Sequence, residues 1–196
     1  MTQRSIPLRT RRRGADLEDA LYAAALAELA ERGYAGLSVE GVAARARTGK
    51  AALYRRWSGK QELVLAALRH GMPALPDPDP HQSARENLLA AFTALAAVLA
   101  GSTSLPGISM AVDLLREPEL RAGFIDELLT PRLQTIESIL RRGVDTGEID
   151  PAGLRPLAAR TGPALILQTI LLTGEPPSSR ELAAIVSTVL GVTEQP

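Results

Sequence analysis

The chain contains no cysteine. That absence excludes disulfides, thiolate metal ligands and a thiol nucleophile, and it fits a reducing cytoplasm. Aromatic residues make up only 3% of the sequence, and only Phe92 and Phe124 lie beyond residue 72. Such a chain has little stacking surface for a large planar ligand. Two histidines, His70 and His81, flank a loop with no carboxylate at metal-ligand spacing to both, so ordinary solvated histidines are expected and no metal site. The acidic clusters Glu117-Glu119 and Asp145-Glu148-Asp150 read as helix ends and solvated faces. Glycines are scattered and form no GxGxxG, P-loop or GxSxG elbow, which leaves no catalytic residue and no cofactor to assign. The longest apolar stretch near the end, Ala164 to Leu172, is interrupted by Gln168 and Thr169 and is too short for a membrane span. Nothing resembling a signal peptide opens the chain, so a soluble, cytoplasmic protein without a membrane partner is expected.

What is present is a folded, apolar-rich chain of 196 residues, 45% hydrophobic, enough for one compact domain or two small ones. The net charge of zero hides a split. Residues 1–70 hold 13 Arg or Lys against 7 Asp or Glu, and residues 71–196 hold 9 against 15. Only the first third is suited to a polyanion. Of the cationic residues only two are lysines, Lys50 and Lys60, and both fall in that third.

The punctuation of that third describes two short helices around a tight turn. Leu21, Ala25 and Leu29 share one face of a helix over 17–32, and Gly33 stops it. Ser38 is a candidate N-cap for a helix of about two turns, Val39 to Arg45. Gly49 lies in the next turn, before a second short helix over 50–57 that carries Lys50, Tyr54, Arg55 and Arg56. This is the helix-turn-helix plan, in which the second helix enters the major groove and flanking groups bind phosphate. Lys50, Tyr54 and Lys60 suit phosphate, whereas Thr48, Ala51 and Ala52 are placed to affect sequence preference. Ser38, Arg47 and Arg55 complete the expected DNA-facing set. Arg11, Arg12 and Arg13 precede the first helix as an arm able to reach phosphates or the minor groove, or as a solvated tail. Tyr34 and Trp57 are expected to pack the small core.

These residues resemble the TetR family of bacterial transcriptional regulators. ERGYAGLSVEGVA and TGKAALYRRWSGKQELV carry the resemblance over roughly the first 70 residues; PGISM, EPELRAGF, TPRLQTIESILRRGVDTGEID and LLTGEPPSSRELAAIV resemble its C-terminal ligand domains. Arg47 stands where the family's turn glycine is usual, Thr48 where a small apolar residue is usual, and Gly41 where an acidic residue would complete a capping box with Ser38.

Beyond the motif, four prolines in Pro73 to Pro80 exclude continuous helix or sheet. A helix over 83–100 ends at Gly101; Pro106-Gly107 and Glu117-Pro118 bracket another; Pro118 opens one that runs to Gly147 with Pro131 kinking it. Asp150-Pro151 reads as a cap and first turn, Gly162-Pro163 as an interruption, and Ser178 or Ser179 as the cap of a last helix to Leu190. No alternating pattern of useful length occurs, so the expected fold is all-α with about nine helices. The expected organisation is an arm (1–14), a DNA-binding domain (15–72) and a ligand-binding and dimerisation domain (73–196).

The last two helices offer surplus apolar surface, which puts Leu165, Ile170, Leu171, Leu182, Ile185, Val186 and Val189 at a homodimer interface. A palindromic double-stranded operator requires the same dimer. The resemblance implies a pocket for a small-molecule effector in the middle helices. Phe92, Met110, Leu114, Phe124, Leu128, Ile136, Ile166 and Gln168 are its candidate lining, and a small or aliphatic ligand fits the scarcity of aromatics. The expected function is a homodimeric repressor released from its operator by that ligand; the alternative is a ligand-independent architectural DNA-binding protein.

Overall fold

The computed structural model describes residues 14–101, 105, 107, 113, 116–151 and 157–191. It is all-helical there, with no strand among the described residues. The first helix, α1 (Ala15–Gly36), leaves helical geometry at Gly33, whose φ of 65° and ψ of 174° belong to a region essentially reserved for glycine. Two bonds fix that turn: the Leu37 amide donates to Gly33 O at 3.1 Å, and the Tyr34 amide donates to Asp113 Oδ2 at 3.0 Å.

Then come α2 (Val39–Arg45), α3 (Lys50–Tyr54) and α4 (Lys60–Gly71). Leu21, Ala25 and Leu29 of α1 are buried with Leu63, Val64, Ala67 and Leu68 of α4, Val42 of α2 and Leu53 of α3. Each fully buried leucine contributes about 1.5–3 kcal/mol. Tyr34 and Trp57 are buried in the same core, as core packing requires. The second short helix ends at Tyr54 rather than Trp57, since Arg56 and Trp57 donate to Leu53 O in a closing turn.

The proline-rich connector is held in place by side chains from the bundle. Asn87 is buried, its Nδ2 donating to the carbonyls of Asp79, Gln82 and Ser83 at 3.0, 3.2 and 3.0 Å. Its Oδ1 accepts from the Asp79 amide at 2.7 Å. Arg142 donates to the same Asp79 carbonyl and to those of Pro80 and Gln82. Ser83 then caps α5 (Ala84–Leu99) in a full capping box with Glu86.

A long rod follows: α6 (Pro118–Phe124), a π-helical segment (Ile125–Leu129) and α7 (Thr130–Asp145). Pro118 occupies the first turn of α6, where its missing amide costs nothing. The kink expected from Pro131 takes the form of that π segment, in which the Thr130 amide donates to Ile125 O, five residues back. Proline has no N–H to donate and its ring crowds the carbonyl four residues earlier, so a widened turn relieves both problems.

The chain closes with α8 (Ala158–Thr173) and α9 (Ser179–Leu190). Here one expectation is corrected: Pro163 lies inside α8 without breaking it. The first turn expected after Pro151 falls on residues 152–156, outside the described residues. Gly162 is tolerated because a Cβ there would lie 2.1 Å from Phe92 Cζ; the absent side chain lets α5 and α8 pack through the ring. Ser178, not Ser179, caps α9, with Glu181 completing the box. Nine α-helical segments are thus described, close to the expected number.

Candidate functional site

The turn between α2 and α3 sets the exposed face of the motif. Ser38 caps α2 by accepting from the Gly41 amide at 3.0 Å. At the other end of α2, the Arg47 amide donates to Ala44 O at 3.1 Å and the Thr48 amide to Ala43 O at 2.9 Å. That pair of bonds is a Schellman turn, whose left-handed position is ordinarily glycine. Arg47 fills it with φ 57°, at a cost of about 1–2 kcal/mol for a side chain in that region. Gly41 has its own reason: a Cβ there would lie 2.7 Å from Glu28 Oε2. The buried Glu28 carboxylate occupies the space, with Arg32 at 3.4 Å and Arg45 at 3.3 Å. Arg45 also pairs with Glu31. This ion cluster ties α2 to α1 and was hidden in the apolar run around Leu26 and Leu29.

On α3, Lys50, Ala51 and Tyr54 face water, and Arg55 follows them at its C-cap. Tyr54 is 55% exposed, although its ring is largely apolar. Ala52 is corrected: it is only 5% exposed and turns inward beside Leu53, since successive residues of a short helix rotate by about 100°. Thr48 is half-buried and Arg47 exposed. Lys50 pairs with Glu40 at 3.0 Å in full solvent, a pair worth little and readily exchanged for a phosphate. Lys60 is placed differently from expectation. Its Nζ donates to Tyr34 O at 2.8 Å and lies 4.2 Å from the centroid of the Tyr34 ring, so it closes the turn after Gly33. Arg11, Arg12 and Arg13 lie outside the described residues.

A second feature is a cavity of about 230 Å³ between α5, the π segment, α7 and α8. Three expected residues, Phe124, Leu128 and Ile136, line it. Phe92 and Ile166 do not: both are fully buried in the α5–α7–α8–α9 core. Gln168 faces solvent, and Met110 and Leu114 lie outside the described residues. Sequence reasoning missed Met72 and Leu75 after α4, Leu95, Val98 and Leu99 of α5, Pro163 and Leu167 of α8, and Arg132 and Leu133 of α7. The legible signal was Arg132 itself, an arginine one residue before Leu133 and four before Ile136 on the inner face of its helix.

The walls of this cavity reach α4. Gly123 packs so closely that a Cβ would lie 2.4 Å from Leu65 Cδ1. Glu127 of the π segment pairs with Arg69, and Gln61 Nε2 donates to Glu119 O at 3.1 Å. Leu120 and Leu128 are buried within the core of the first four helices.

The outer faces of α8 and α9 require a correction. Ile170, Leu182, Ile185, Val186 and Val189 are buried in the chain's own core, and Leu165 packs against it. Those side chains fill the groove between α8, α9 and α5. The large apolar side chains within these two helices left in water are Leu171 and Leu172, 63% and 76% exposed. Among the described residues no helix is long and apolar enough to cross a membrane.

Two short helices joined by a tight turn, with Lys50, Tyr54 and Arg55 exposed on or beside the second and a fourth helix leading into a bundle, have the helix-turn-helix plan of a DNA-binding transcriptional regulator. The chain belongs to the TetR family: residues 21–67 match the model for bacterial regulatory proteins of that family, and residues 77–189 match the tetracyclin repressor-like C-terminal domain. It is 31% identical to an uncharacterized HTH-type transcriptional regulator of Mycobacterium tuberculosis over 88% of this chain and 85% of that one. It is 48% identical to the DNA-binding transcriptional repressor TetR of Mycobacteroides abscessus over 29% of this chain and 30% of that one. Its fold is similar to that of the transcriptional regulator FadR from Bacillus subtilis in complex with stearoyl-CoA, with a TM-score of 0.71, 22% identity, and 89% of this chain and 98% of that one covered. The family is one of regulators, not enzymes.

Proposed function

We propose that the protein is a homodimeric repressor that holds a palindromic operator and releases it when a small apolar effector enters the cavity. Residues 15–72 form the DNA-binding unit in this reading, residues 73–196 the effector and dimer unit, and residues 1–14 the arm. The observation that carries it is the shared wall. Phe124 and Leu128 line the cavity, while Gly123 and Glu127 of the same rod grip Leu65 and Arg69 of α4. An effector that favours one arrangement of that rod shifts α4, and with it the exposed face of α3, by its differential affinity for the two arrangements.

Exposure of Leu171 and Leu172 supports the dimer. With Ala164 and Gln168 of α8 and Ala184 and Thr188 of α9, they form an outward stripe whose small residues permit close helix approach. This stripe, on the opposite side of the helices from the core residues, is the interface proposed.

Selection from a random duplex pool at roughly physiological salt tests the reading. A single palindromic sequence, released by an aliphatic effector, is expected. Unrelated sequences bound with steep salt dependence would instead establish the architectural alternative.

A further inference from the structure

One wall of the cavity differs from the rest. Of the residues that line it, Arg132 alone carries a charge, among leucines, methionine, valine, isoleucine, proline and phenylalanine. Its guanidinium is fixed by two backbone carbonyls, Nη1 donating to Leu128 O at 2.9 Å and Nη2 to Pro73 O at 2.8 Å. Among the described residues no carboxylate lies within 4.0 Å of it, whereas the buried Glu28 carboxylate has Arg32 and Arg45 beside it. A guanidinium has five N–H donors, so three remain after the two carbonyls are served. Burial without a countercharge pulls its pKa below the ordinary arginine value. A partly desolvated cation with no countercharge beside an apolar space carries a cost that an anion would offset.

We propose that the effector is an aliphatic oxyanion, its chain in the apolar cavity and its anionic head on Arg132. The planar fork of arginine matches a carboxylate or a phosphate, and the two rigid carbonyl bonds aim it without further ordering cost. Size limits the tail: at roughly 30 Å³ per heavy atom, a 230 Å³ space takes about seven or eight carbons. The same guanidinium ties Pro73, two residues past the end of α4, to Leu128 of the π segment. An anion that draws the guanidinium toward itself therefore acts on both ends of the connection to the DNA-binding unit.

This inference rests on the reading of the cavity as the effector site, and the test separates the two. Affinities of octanoate, octyl phosphate, octanol and octylammonium are measured by calorimetry on the full chain, in wild type and in Arg132→Gln and Arg132→Lys. The expected result is that at least one of the two anions binds at least tenfold tighter than octanol, with octylammonium weakest. Comparison of octanoate with octyl phosphate identifies the head group. In Arg132→Gln the ratio of anion to octanol falls to near one, and Arg132→Lys restores part of it. That ratio is taken within each variant, so a mere loss of packing leaves it unchanged. Equal binding of octanol and both anions to wild type overturns the anion site and leaves the apolar cavity standing as the effector site. An unchanged ratio in Arg132→Gln overturns the role of Arg132. Failure of all four to bind overturns the inference and the cavity reading together.

Discussion

In the first four helices Lys50 and Arg55 face water, and the buried Glu28 is paired with Arg32 of its own helix and with Arg45 of α2. In α5 to α9 the interior is largely apolar, with Asn87 and Ser187 as its buried polar side chains among the described residues; its helices interlock through missing side chains at Gly143 and Gly162, and it holds a cavity with a single cation on its wall. One region keeps its chemistry on an outer face and needs only a small core to aim it. In the proposed reading the other keeps its chemistry inside, and its core is dense in one place and open in another. A substitution on the outer face of the first region should change binding and spare stability, and a substitution in the dense part of the second should do the reverse.

The largest expected effect breaks the dense part. Phe92→Ala should cost about 3–5 kcal/mol, seen as a lowered urea midpoint. Gly162→Ala should cost about 1–3 kcal/mol by forcing a methyl into the ring, and combining it with Phe92→Leu should cost less than the sum, because the two residues share one space. Next comes the exposed stripe: Leu172→Arg should weaken self-association roughly a hundredfold or more in sedimentation, through an unpaired charge in an apolar contact. Unchanged association would remove α8 from the interface.

The outer face of the first region should respond in the opposite manner. Tyr54→Ala should weaken DNA binding roughly tenfold while leaving the melting temperature within the range of an ordinary surface change. Lys50→Ala should lower the slope of log affinity against log salt by about 1, whereas Lys60→Ala should lower stability and leave the slope nearly unchanged. The smallest effect is a gain. Arg47→Gly should raise stability by about 0.5–1 kcal/mol by relieving the left-handed position, net of glycine's greater freedom in the unfolded chain.

Much of this contrast was legible in the sequence because it is written in short-range chemistry. Gly33, Ser38, Ser83, Pro118 and Ser178 act within three or four residues of themselves, and each performs the turn or cap that its type and position imply. Helical periodicity also identified the buried face of α1. It could not say which apolar surface a residue meets. Phe92 and Ile166 look the same in sequence whether they line a cavity or fill a core, and that distinction depends on Gly162, 70 positions away from Phe92. The interface residues were misplaced for the same reason: α9 offers one strongly apolar side, and α5 and α8 cover it within the chain. Ala52 was misassigned because one residue of helical rotation separates the inside of a five-residue helix from its outside. The bond of Lys60 to the Tyr34 carbonyl was not legible because that partner is 26 residues distant.

The absence of cysteine allows one measurement to address the central claim directly. A single spin label on Ala51→Cys, an exposed position on α3, reports by pulsed electron resonance the separation between the DNA-facing helices of the two protomers in the proposed dimer. The account predicts one distance near one duplex turn, roughly 35 Å, that shifts when an aliphatic effector fills the cavity. No inter-protomer distance, or a distance far from duplex spacing, would contradict it.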